Sequence, residues 1–228
     1  MTAITLTVNA FEKILKRLQL YPQEDILLIG FRGMCALSPY AQWHPTITLK
    51  ESVPDFLTLQ CTLALFHRKD KKFALFKGST YPHLFFLEKQ WQTPQKKIAS
   101  ILTEGMYTYI IGAHEPGDNP HAPLPKEEGA FRLSRHQPVP VWRFLSKKAW
   151  YEKTPQLDLS YPGDNLHAAQ STKKRHQISF SSAGCQVIEG DHAPPNCPTG
   201  HYQTFRLMAG QAEHPHIRNS LYNHSLGK

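Results

Sequence analysis

The chain has 228 residues, 40% of them apolar, which is enough for one sizeable core. Only 19% are charged, yet the balance is +8, with thirteen histidines to add charge below neutral pH, so an acidic partner is expected: nucleic acid, an anionic membrane surface or a polyanionic cell-wall polymer. No run reaches eighteen apolar residues and residues 1–10 lack a basic segment followed by an apolar one, so the expectation is a cytoplasmic protein with no stable membrane insertion.

Residues 9–20 read as a helix: Phe11, Ile14, Leu15 and Leu18 fall on one face, Asn9 and Glu12 form a capping box, and Tyr21-Pro22 ends it. Residues 26–29 (Ile-Leu-Leu-Ile) read as a buried strand closed by Gly30 and Gly33, and Arg32 between those glycines is a candidate clamp for a carboxylate. Residues 38–54 mix proline, aromatics and polar groups and read as a loop. Residues 56–67 and 72–77 are apolar runs around the charged turn 68–71, a β-hairpin in which Cys61 is a buried, inert thiol.

A short helix is expected over 96–102 and a strand over 106–111, with an exposed loop over 115–129. Strands resume at 131–133 and 139–145, bringing Arg132 and Arg143 as further carboxylate-binding candidates. Residues 148–163 read as irregular, the prolines of 193–198 exclude regular structure there, and the polar segment from Glu213 reads as a loose tail. Many short strands with regular turn signals predict a mainly β sandwich or barrel with a few short helices. One domain is expected over 1–228, with an N-terminal extension at 1–55, a catalytic core at 56–190 and a C-terminal extension and flexible tail at 191–228.

Four cysteines in 228 residues are too sparse for a disulfide framework. Cys185 closes a Ser182-Ala183-Gly184-Cys185 segment, eighteen positions after His167. A thiol and an imidazole make a nucleophile and base once the chain folds back between them. Gly184 gives the backbone before the thiol a freedom other residues lack, so that the amides of Gly184 and Cys185 can converge on an oxyanion. His167, Cys185, Cys197 and His201 are zinc-type ligands, but they lack the close cysteine pair of structural zinc sites, so no metal and no cofactor is expected. The clusters at 68–72 and 173–175 carry no interleaved aromatics, which argues against nucleic acid.

His167 followed by Ser182-Ala183-Gly184-Cys185 resembles the L,D-transpeptidase (YkuD-type) catalytic domains, in which a histidine precedes a Ser-x-Gly-Cys segment by a similar interval. The segment Thr103-Glu104-Gly105-Met106-Tyr107 looks like a degenerate form of the family's strand-starting motif. The likeness covers about residues 60–190. Ala168, Ala183 and Val187 stand where the family usually carries glycine, histidine and arginine, and Gly-Cys-Gln-Val looks like a divergent branch found in phage-like and cytoplasmic bacterial proteins.

The resemblance implies acyl transfer on peptidoglycan stem peptides or muropeptides, with Cys185 as nucleophile, His167 as base, Gly184 at the oxyanion and Ser182 orienting the histidine or serving as a turn hydroxyl. With water as acceptor the activity is an L,D-carboxypeptidase that trims terminal D-Ala; with an amine it is a transpeptidase. The cytoplasmic expectation favours hydrolysis of recycled fragments, with phage lysis or a dedicated secretion system as the routes to the wall. The competing class is a non-catalytic cell-wall-fragment binding module or a zinc-stapled domain.

Overall fold

The computed structural model describes residues 2–53, 55–112, 130–170, 178–193, 197–198 and 200–210. In chain order its elements are β1 (Ala3–Thr7), α1 (Val8–Arg17), β2 (Ile26–Phe31), β3 (Met34–Ala36), β4 (Trp43–His44), β5 (Thr46–Glu51), β6 (Cys61–His67) and β7 (Lys72–Ser79). There follow α2 (Leu84–Gln92), β8 (Ile101–Leu102), β9 (Tyr109–Gly112), β10 (Ala130–Leu133), β11 (Val139–Arg143), α3 (Lys147–Tyr151) and β12 (Gln156–Ser160). The last are β13 (Leu166–Gln170), β14 (Gln186–Ala193), β15 (Cys197–Pro198) and α4 (Gly200–Met208). The protein is mainly β, as the turn-punctuated strands predict.

Among the described residues a nine-stranded sheet carries the fold in the order β2-β6-β7-β14-β13-β10-β9, with β4 added to β7 and β15 to β14. Its spine is the β6–β7 hairpin, paired from Cys61↔Gly78 to His67↔Lys72 and buried almost throughout. Alternation along the hairpin feeds two cores. Leu63, Leu65, Ala74 and Phe76 face one side, where Phe131, Leu166, Ile188, Tyr202 and Phe205 complete the cluster. Ala64, Phe66, Phe73 and Leu75 face the other, against Leu6, Phe11, Ile47 and Leu49 of the small β1-β5-β3 sheet and α1. A third sheet, β12-β11-β8, lies beside the first core.

Several boundaries differ from the sequence expectation for identifiable reasons. The α1 cap is Thr7, whose hydroxyl accepts the Ala10 amide at 3.2 Å, so the helix starts before Asn9. β2 is an edge strand and only partly buried. The stretch 38–54 holds β4 and β5; Ile47 and Leu49 alternate inward from Thr46, Thr48 and Lys50, a pattern hidden by the nearby prolines. Residues 148–163 likewise hold part of α3 and all of β12. In place of a helix at 96–102, a 3-10 turn at Pro94–Lys96 leads into β8. β14 runs to Ala193 and pairs with β15 through Ala193↔Cys197, where regular structure had been excluded. The loop expected over 115–129 and the tail from Glu213 lie outside the described residues.

The core has no break at residues 55 or 190. β2 belongs to the main sheet, and α4 buries Tyr202 and Phe205 completely. Phe205 packs edge-on against Phe76 and Phe131, with ring centroids 5.2 and 5.3 Å apart. Phe205→Ala is expected to cost about 3–5 kcal/mol in denaturant unfolding, whereas a loss below about 1 kcal/mol would mark α4 as an appendage.

Candidate active site

β13 and β14 run parallel, which requires a crossover of a dozen or more residues; residues 171–185 supply it. The register pairs Leu166 with Gln186 and His167 with Val187. Cys185 therefore sits two residues before the partner of His167. Because side chains repeat every second residue, the thiol and the imidazole share one face of the sheet as diagonal neighbours. The packing agrees: Leu166, Ala168 and Ile188 enter the large core, while Ala169, Val187 and Cys185 cluster with Phe180 on the opposite face.

His167 is buried, and its Nδ1 lies 2.7 Å from the Ala168 carbonyl. A carbonyl only accepts, so Nδ1 carries the proton and Nε2 is the basic nitrogen of the neutral ring. Cys185 is partly exposed, and its thiol donates to the Gly163 carbonyl at 3.8 Å.

The bend that presents the thiol is held from three sides. The Ser182 hydroxyl accepts the Gly184 amide at 3.1 Å and donates to the Cys185 carbonyl at 2.8 Å. The Ser182 carbonyl takes the His83 amide at 2.8 Å, and the Ala183 carbonyl takes the Ser100 amide at 2.9 Å. Gly184 has φ +149°, and a Cβ there would lie 2.5 Å from both Asp164 Oδ1 and Ser100 Oγ. Only glycine fits. The expected roles change accordingly: Ser182 is the turn hydroxyl, and the Gly184 amide is spent on it and so is not aimed at an oxyanion.

The three arginine candidates separate. Arg32 donates to the Leu102 carbonyl (2.7 Å), Glu104 (3.1 Å) and Thr80 (3.3 Å), clasping the end of β2 to the β8 segment. Arg143 donates to Asp158 and Ser160 and to the Lys97 and Ala99 carbonyls, all within 3.1 Å, deep in the β12-β11-β8 sheet. Arg132, on β10, alternates with the core residues Phe131 and Leu133 and so projects to the Cys185 face. One arginine of three thus shares the thiol's face.

Two groups near the bend gave no sequence signal. His83 caps α2, with Nδ1 accepting the Phe85 amide at 3.1 Å; burial lowers its pKa, and it is a neutral ring set edge-on against Phe180. It carries the opposite tautomer to His167 and cannot take a proton at Nδ1. Asp164 is buried beneath Gly184 and accepts the Ser100 hydroxyl at 2.9 and 3.0 Å. Burial pushes its pKa up to about 7, opposed by the Ser100 hydrogen bond and the Arg143 charge.

No family model, curated protein or solved structure matches the chain. Among the described residues, no group of three or more His, Cys, Asp or Glu side chains is placed to hold a metal ion, and no helix is long and apolar enough to cross a membrane. Of the zinc-type set, the Cys197 side chain lies outside the described residues. A cavity of ≈ 470 Å³ lies along β2, between Ile14 of α1 and its C-cap Leu18 on one side and Met106 and Tyr107 on the other; Gln186 reaches it, but Cys185 and His167 do not. Its lining holds no cysteine or histidine, so the candidate thiol and imidazole lie apart from it.

The Asp164 carboxyl gives a pH signature. Its folded pKa is raised from 3.8, so between pH 3.8 and about 7 the folded chain retains a proton that the unfolded chain has released, and stability falls as pH rises through that window. Relative to Asp164→Asn, the wild type is expected to lose about 4 kcal/mol between pH 4 and pH 8. Parallel stability–pH curves for the two proteins would contradict the burial argument.

Proposed function

We propose that the chain is a cysteine-dependent acyl-transfer enzyme acting on peptidoglycan stem peptides, an L,D-carboxypeptidase that releases terminal D-Ala from tetrapeptides. The observation that carries this reading is the register of β13 on β14, which sets a partly exposed thiol and an imidazole with a basic Nε2 on one sheet face. The resemblance of His167 and Ser182-Ala183-Gly184-Cys185 to the L,D-transpeptidase domains supplies the substrate class.

In this mechanism His167 Nε2 takes the Cys185 proton, and the thiolate attacks the carbonyl preceding the terminal D-Ala. The Gly184 amide, held by the Ser182 hydroxyl, takes no part at the oxyanion. Collapse breaks the C–N bond, and the D-Ala amine leaves with the proton held on Nε2. Water, deprotonated by the same nitrogen, then cleaves the thioester and restores the thiol. An amine in place of that water gives the transpeptidase reaction.

Incubation with tetrapeptide is expected to yield tripeptide and D-Ala by mass spectrometry, with iodoacetamide labelling Cys185 before the other cysteines. Cys185→Ala should abolish release without loss of fold, and His167→Ala should lower it by about 10²–10⁴-fold. An unchanged stem peptide together with an unreactive Cys185 would remove the enzyme reading; product carrying an added D-amino acid would assign the transferase instead.

A further inference from the structure

β2 is an outer strand of the main sheet, paired with β6 alone among the described residues. Which of its backbone groups are left over follows from one hydrogen bond. The Asp25 carbonyl accepts the Arg68 amide at 2.8 Å, so Leu27, Ile29 and Phe31, in step with Asp25, turn their amides and carbonyls toward β6. Ile26, Leu28 and Gly30 therefore turn theirs outward, where no described residue meets them.

Sheet edges are ordinarily guarded by a charge, a proline or a bulge. This one has none: Ile26–Phe31 is uncharged, lacks proline and keeps an unbroken register with β6. The ≈ 470 Å³ cavity lies along the same edge. One of its walls carries Ile14, Leu18 (60% exposed) and Tyr21, and the other carries Met106 (61% exposed). An apolar small molecule in this groove would leave the outward amides and carbonyls unmet, whereas an extended backbone supplies a partner for each.

β2 is complementary to itself. A two-fold axis perpendicular to the sheet through Leu28 sets β2 antiparallel to the β2 of a second copy, with Leu28 opposite its own mate and Ile26 opposite Gly30. Every outward amide and carbonyl then meets one from the other copy. The same register puts Leu27 opposite Ile29, two apolar side chains on the α1 side of the sheet. It also puts Glu24 opposite Arg32, so that opposite charges stand across from one another at both ends of the pair. An unrelated strand would have to match the hydrogen bonds, the apolar pairs and the charges together.

We infer that the chain forms a two-fold dimer in which β2 of one copy adds to β2 of the other, joining the two main sheets and closing the groove between them. The dimer is independent of the acyl-transfer reading, since neither Cys185 nor His167 lines the groove.

Sedimentation velocity and residue-resolved amide exchange on the full chain test it together. The wild type is expected to sediment at twice the chain mass, and the double variant Leu18→Glu/Met106→Glu, which adds like charges on the exposed walls, at the chain mass. Amides of Ile26, Leu28 and Gly30 are expected to exchange at least about tenfold more slowly in the wild type than in the double variant. Those of Leu27 and Ile29, bonded to β6, stay slow in both and report an intact sheet. A monomeric wild type would overturn the dimer, as would a double variant that stays dimeric. Outward amides that remain slow in a monomeric double variant would assign the edge to another segment of the same chain, and a wild-type dimer in which they exchange freely would place the interface elsewhere; either result overturns the β2 pairing.

Discussion

The parallel pairing of β13 with β14 is the constraint on which the candidate site depends. Antiparallel neighbours joined by a tight turn would bring residues close in sequence together; a parallel pair brings together residues a full crossover apart. Here the pairing sets His167 beside Val187, so Cys185, eighteen positions after the histidine, lands on its face of the sheet. An interval of seventeen or nineteen would send the thiol to the opposite face, where Leu166 and Ile188 enter the large core. The interval is therefore meaningful only together with the register.

The bend before Cys185 is held with little freedom. Ser182 closes it with two hydrogen bonds, while His83 and Ser100 hold it through their backbone amides. Asp164 and Ser100 fill the space that a side chain at Gly184 would need. The two buried histidines are sorted by the atom that each Nδ1 meets. A carbonyl fixes His167 with a basic Nε2, whereas an amide donor holds His83 neutral as a helix cap.

The mainly β class and the β6–β7 hairpin were legible in the sequence because each leaves a local signal: alternation and a charged turn. β5 and β12 were not, since prolines and polar neighbours mask strands that bury only alternate residues on one face. The place of α4 in the core depends on contacts with Phe76 and Phe131, far away in sequence. Asp164 gave no signal, since nothing local in Pro-Gly-Asp-Asn distinguishes a solvated turn carboxyl from one buried under a glycine. Arg32 shows the same limit of local signals: it suited a clamp by its glycine neighbours, yet it donates to Thr80, Leu102 and Glu104.

The central claim is that His167, on the sheet face of Cys185, carries its proton on Nδ1 and its lone pair on Nε2. A long-range nitrogen–proton NMR correlation on histidine-labelled protein reads that tautomer directly. The account predicts a protonated Nδ1 for His167 and a basic Nε2 whose resonance moves when Cys185 is replaced by alanine. A proton on Nε2, or a His167 spectrum unchanged by loss of the thiol, would contradict it.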